Sequence, residues 1–143
     1  MSPEILHFAP DGRSRWAGMG DYLLISPDGR HRVLSRYAGE PPHGDSFHRL
    51  QIDGRDFPGH AWGCSFAFSA CSRYCVFSWM AQRYERRTAV VDLDRAAYFT
   101  LPDYFPDFAL QWPTVSCRAR AGAQRSYTVS GHEVWTSFVE EQR

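Results

Sequence analysis

An all-β fold is the expectation for this chain, and three features of its sequence carry it. Apolar and aromatic residues alternate with polar ones at a period of two through several short runs, of which 74–80 and 88–93 are the clearest. Turn chemistry separates those runs at short intervals. No stretch sustains a 3.6-residue period, so helix is a minor component: a turn at 94–97 or 104–110, with 134–142 a fraying strand or short helix. The predicted architecture is one domain over 1–143, built of antiparallel blade-like meanders packed as a sandwich or partly open barrel.

Taken in order, Ala9-Pro-Asp-Gly-Arg13 and Ser26-Pro-Asp-Gly-Arg30 are tight turns, because proline presets φ and Asp-Gly supplies a position with φ > 0. The second turn leads into a strand over 31–37. A loop follows at 38–45, where Gly39, Pro41, Pro42 and Gly44 fall together, and then a strand over 47–52 turned by Asp53-Gly54. Residues 68–102 form the meander around which the rest is organised. In its first strand Cys75, Phe77 and Trp79 point one way, while Tyr74, Val76, Ser78 and Met80 point the other, so both faces are covered. In its second strand Ala89, Val91 and Leu93 oppose Thr88, Val90 and Asp92. Between them 82–87 carries Arg83, Glu85, Arg86 and Arg87, too charged for burial, and makes a solvated hairpin tip. Phe99 and Leu101 belong to a third strand that Pro102 ends.

Laid over one another, 25–37 and 68–80 match Ser26 with Ser69, Arg30 with Arg73, Val33 with Val76 and Ser35 with Ser78. Downstream, Leu50-Gln-Ile-Asp53 matches Val91-Asp-Leu-Asp94. The internal repeat has units at about 24–58 and 68–102, with a degenerate third at about 110–138, and its period of roughly forty residues is that of a four-stranded β unit. Ser-Pro-Asp-Gly-Arg, strand, charged hairpin, and a strand ending in Asp-Leu-Asp resembles the blades of β-propellers of the WD-repeat and Tol-system kind. It departs from WD repeats in lacking their Trp-Asp and Gly-His signatures. A closed propeller takes at least about four blades. Two good units and one poor one do not close, which leaves self-assembly of propeller-like copies as an alternative.

Composition narrows the function classes. Sixteen basic residues balance sixteen acidic ones, which disfavours a general nucleic-acid or polybasic membrane binder. Every one of the sixteen is arginine, and the chain has neither lysine nor asparagine. High-GC coding, and so a bacterial source, is the expectation. The start Met-Ser-Pro-Glu-Ile-Leu-His-Phe has no signal-like pattern and no later run is long enough to span a bilayer. A cytoplasmic location follows, with Cys64, Cys71, Cys75 and Cys117 as reduced thiols.

No motif specifies catalysis. Gly63-Cys64-Ser65-Phe66 is not a nucleophile elbow, and the Asp-Gly-Arg turns lack the spacing of a phosphate loop. Cys71 and Cys75, four apart, are not spaced as a zinc pair. No cofactor or metal is therefore expected. The segment 98–108, Tyr-Phe-Thr-Leu-Pro-Asp-Tyr-Phe-Pro-Asp-Phe, stands out instead, because between Arg95 and Arg118 there is no basic residue. Aromatic anchors stiffened by proline and ringed by carboxylates have the composition of a protein-binding hot spot; as a purely structural element, Phe99, Phe105 and Phe108 cap the open end of a sandwich.

The leading functional expectation is a non-enzymatic protein-binding domain, in its sharpest form a bacterial immunity protein that occludes the active site of a cognate toxin. Its contact surface is Tyr98, Phe99, Asp103, Tyr104, Phe105, Asp107 and Phe108, rimmed by Arg83, Arg86 and Arg87. The alternative from another class is a small-molecule- or metal-binding β domain or enzyme with a pocket near His43, His48, His60 and Cys64.

Overall fold

A computed structural model describes residues 2–42, 44–82, 85–118 and 125–139. Its strands, in chain order, begin with β1 (Glu4–His7), β2 (Arg15–Trp16), β3 (Tyr22–Ile25) and β4 (Arg32–Gly39). They continue with β5 (Phe47–Ile52), β6 (Arg55–Asp56), β7 (His60–Phe68), β8 (Tyr74–Met80), β9 (Arg87–Asp92) and β10 (Ala97–Thr100). The last are β11 (Phe108–Gln111), β12 (Thr114–Cys117), β13 (Ser126–Thr128) and β14 (Thr136–Ser137). The fold is all-β, and the helical turns expected at 94–97 and 104–110 do not form: Asp94 and Arg95 lie in the turn before β10, and the prolines at 102 and 106 keep the second segment irregular. Of 134–142, residues 136–137 form β14, and 140–142 lie outside the described residues.

One sheet runs β1-β3-β4-β5-β7-β8-β9-β10-β14, and a second runs β11-β12-β13. Pairing is antiparallel except between β1 and β3, a parallel contact that nothing in the local sequence announces. β5 meets β7 over only two rungs, Phe47↔Trp62 and His48↔Ala61. There the large sheet folds over on itself without closing, as in a sandwich or partly open barrel. Leu24, Val33, Leu50 and Ile52 from the first half share one core with Phe66, Phe68, Cys75, Phe77, Ala89 and Val91 from the second. Phe57, from the loop after β6, sits within that core and packs its ring against Phe77, Trp79, Tyr98 and Phe138. The outer face of the second half, Ala67, Val76, Val90, Phe99 and Leu101, is covered by Phe108, Leu110, Val115 and Cys117 of the small sheet. Both faces of β8 and β9 are thereby buried as their alternation predicts.

The two aligned hairpins share turn geometry residue for residue. Ser26 and Ser69 each accept, through Oγ, the backbone N–H five residues on, and Gly29 and Ser72 each donate N–H to the serine carbonyl three residues back. Both of those positions have positive φ, +81° and +68°. Their facing differs: Val33 lies in the inner core and its match Val76 in the outer one. The two units are successive stretches of one hydrogen-bonded sheet.

Folding the sheet over brings its turns together at one end. Asp28 N–H donates to Ser72 Oγ across the two hairpins, at 2.8 Å. His31, buried there, has its ring nitrogens 2.7 Å from Asp53 Oδ2 and 2.7 Å from Asp94 Oδ1. Arg73 forks onto buried Asp92 at 3.1 and 2.9 Å. The hydrogen bond from His31, with Arg30 nearby, holds the Asp94 carboxyl below the usual range, and Arg30 does the same for Asp28. Carboxyls depressed in the folded state stabilise it fully above their unfolded values near pH 4, and that contribution is lost as pH falls through the lower folded values. The urea midpoint is therefore expected to fall on acidification below about pH 4, and Asp94→Asn to flatten part of the fall. A midpoint constant down to about pH 2 would refute this linkage.

Candidate functional site

The irregularity of β7 makes the site. β7 pairs with β8 at Ala61↔Trp79 and resumes at Phe66↔Phe77, so residues 62–65 stand opposite Ser78 alone. Gly63, at φ +78°, turns this bulge. Two backbone hydrogen bonds of 2.7 Å pin it: Gly63 N–H donates to the Ser46 carbonyl, and Ala17 N–H donates to the Cys64 carbonyl. Where β5 ends, β2 takes over the edge at Arg15↔Phe66 and Trp16↔Ser65.

Above the bulge lies a cleft of about 240 Å³. Its floor is Ser46, Cys64 and Ser78, all buried, with half-buried Ser65. Trp62, Tyr104 and Pro106 form its sides, and Tyr104 is tied to the floor by a 3.2 Å hydrogen bond with Ser78 Oγ. Trp16, Met19 and Asp45 stand exposed around its mouth.

Beneath the floor, His48 Nε2 lies 2.8 Å from Ser46 Oγ and 3.3 Å from Cys64 Sγ, and those two atoms are 3.4 Å apart. Of the expected pocket residues, then, the structure unites His48 with Cys64. His60 packs edge-on against Phe47 and does not line the cleft. His43 lies outside the described residues. Burial pushes the Cys64 thiol up, an effect the neighbouring Asp45 carboxylate reinforces, and pushes His48 down. The pair is thus a neutral thiol beside a neutral imidazole rather than a thiolate–imidazolium nucleophile. His48 Nδ1, buried, has no hydrogen-bond partner among the described residues, so no third group orients the ring as a triad would. Among the described residues no three His, Cys, Asp or Glu side chains are grouped to hold a metal ion.

The aromatic-acidic segment divides. Phe99, Phe105 and Phe108 are buried in the outer core and are not surface anchors. Phe99 and Phe108 cap the sheet because alternation along β10 and β11 turns them inward, and Phe105, between those strands, has its N–H held by Thr88 Oγ1 at 2.8 Å. Of the expected contact residues that are described, Tyr104 alone lines the cleft. Asp103 is exposed, and Asp107 is half-buried, accepting from Ser14 Oγ at 2.6 Å and Phe108 N–H at 2.9 Å. Tyr98 is partly buried against the inner core, and with Arg87 it borders a second, more open cleft of about 500 Å³. The charged groups there are already paired, Arg87 bonding Glu85 and Glu133 accepting from Tyr127 at 2.5 Å. That bond pushes the Tyr127 hydroxyl up to about 12, while the Ser130 backbone N–H, followed by Tyr127, draws Glu133 down to about 2. Arg86 is exposed, its guanidinium 5.0 Å above the Trp62 ring; Arg83 lies outside the described residues.

Trp16, Met19 and Asp45 were not among the expected residues. The signal for the first two is present in Arg-Trp-Ala-Gly-Met-Gly at 15–20, where two large apolar side chains sit in a glycine loop that neither sheet period explains. No family model, curated protein or solved structure matches the chain. No helix among the described residues is long and apolar enough to cross a membrane.

Proposed function

We propose that this chain is a non-enzymatic protein-binding domain whose contact surface is the cleft over the β7 bulge. One observation carries the reading: Trp16 and Met19, at 65% and 46% exposure, stand at the mouth of a cleft with an ordered, hydrogen-bonded floor. Tryptophan is seldom left this exposed, and it is enriched where a few residues dominate an interface. The volume, about 240 Å³, lies below the roughly 300–1,000 Å³ of small-molecule sites. It suits one inserted side chain better than a cofactor.

The narrower form of the proposal is a bacterial immunity protein that blocks a cognate toxin. Asp45 and Asp103, both exposed, support it, since carboxylates complement the basic active sites of enzymes that cleave nucleic acid. A photo-crosslinking residue in place of Met19 is expected to give one discrete adduct with a protein of the source cell. The same probe in place of Arg55, exposed on β6 opposite Ile52, is expected to give none. Adducts from both positions, or from neither, would remove this surface from the proposal.

A further inference from the structure

We infer that the cleft is a receptor for a single arginine side chain of the partner, an assignment that rests on the protein-binding reading above and gives it a chemistry. Asp45 is the one charged side chain among the described residues lining the cleft, and it makes no hydrogen bond or ion pair with any described residue. Its carboxylate lies over Gly63, with Cγ 3.8 Å from where a Cβ on that glycine would stand, so it is held close to the bulge. Trp16, Trp62 and Tyr104 line the same cleft.

An unpaired carboxylate among aromatic walls is complementary to a flat cation. Guanidinium fits better than ammonium, because it stacks on rings and forks onto a carboxylate at once. The protein already uses this pairing nearby: Arg86 lies 5.0 Å above Trp62, and Arg125 lies 5.5 Å above Phe105 with its guanidinium 3.5 Å from the Tyr104 carbonyl. Arg86 and Arg125 are thus occupied, and among the described residues nothing pairs with Asp45, which leaves it for a guest stacked between Trp16 and Tyr104. The hydroxyls of Ser46 and Ser65 lie in the same cleft as acceptors for its remaining N–H groups.

The test titrates the full chain, labelled with nitrogen-15, with capped Gly-Arg-Gly tripeptide and with the same peptide carrying citrulline, the uncharged isostere. The arginine peptide is expected to shift the Trp16 indole and the Gly63 and Ser65 amides saturably, and the citrulline peptide to bind at least tenfold more weakly. Asp45→Asn, an exposed substitution that leaves the urea midpoint unchanged, is expected to bring arginine down to the citrulline level. Equal binding of the two peptides, no binding of either, or an unaltered Asp45→Asn titration would overturn the assignment. If the Met19 crosslink is found while the arginine peptide fails, only the arginine assignment falls. If the crosslink itself is missing, the cleft is removed as the contact surface and the arginine assignment falls with it.

Discussion

Phe57→Ala is expected to cost about 3–5 kcal/mol of stability, the range for removing a large aromatic side chain from a core that cannot collapse around the gap. Phe57 is 1% exposed and its ring meets four others, on Phe77, Trp79, Tyr98 and Phe138. Those rings come from β8, from β10 and from the segment after β14, so the cavity would open between elements far apart in sequence. A domain of this size holds only about 5–15 kcal/mol in total. The variant should therefore unfold at a much lower urea concentration, while Phe57→Leu should keep most of the lost stability. A loss under about 1 kcal/mol would mean that the inner core repacks, contrary to its position among fixed rings.

Trp16→Ala carries the second large effect, and it should appear in binding alone. At 65% exposure the indole contributes little to the folded state, so the urea midpoint should not move. Affinity for the partner identified by crosslinking should fall by roughly 30-fold, the ~2 kcal/mol that marks a hot-spot residue. Affinity unchanged within about twofold would show that Trp16 lies outside the interface, because a truncated anchor leaves the groups it covered exposed to water.

Much of this fold is legible in the sequence, because a sheet covered on both faces writes its alternation plainly. Cys75, Phe77 and Trp79 turn to the inner core and Val76 to the outer one, as their positions in the run require. The repeated turns are legible for the same local reason. What the sequence hides is long-range. That β5 and β7 pair over two rungs, that β1 lies parallel to β3, and that the sheet folds over depend on contacts between distant segments. The candidate site follows suit: its floor joins Ser46 to Cys64 and Ser78, and its mouth joins Trp16 to Tyr104. The aromatic-acidic stretch misleads because composition cannot separate an anchor from a cap. Period-two reasoning over 97–101 already sets Phe99 and Leu101 on one face, and both are buried.

The cleft's floor is fixed by main-chain bonds, Gly63 to Ser46 and Ala17 to Cys64, whereas Trp16, Met19 and Asp45 at its mouth are exposed side chains. Shape and preference are thereby inherited from different parts of the chain. If the cleft is the contact surface proposed above, exchanging the mouth residues would change what it accepts without disturbing the frame that holds them.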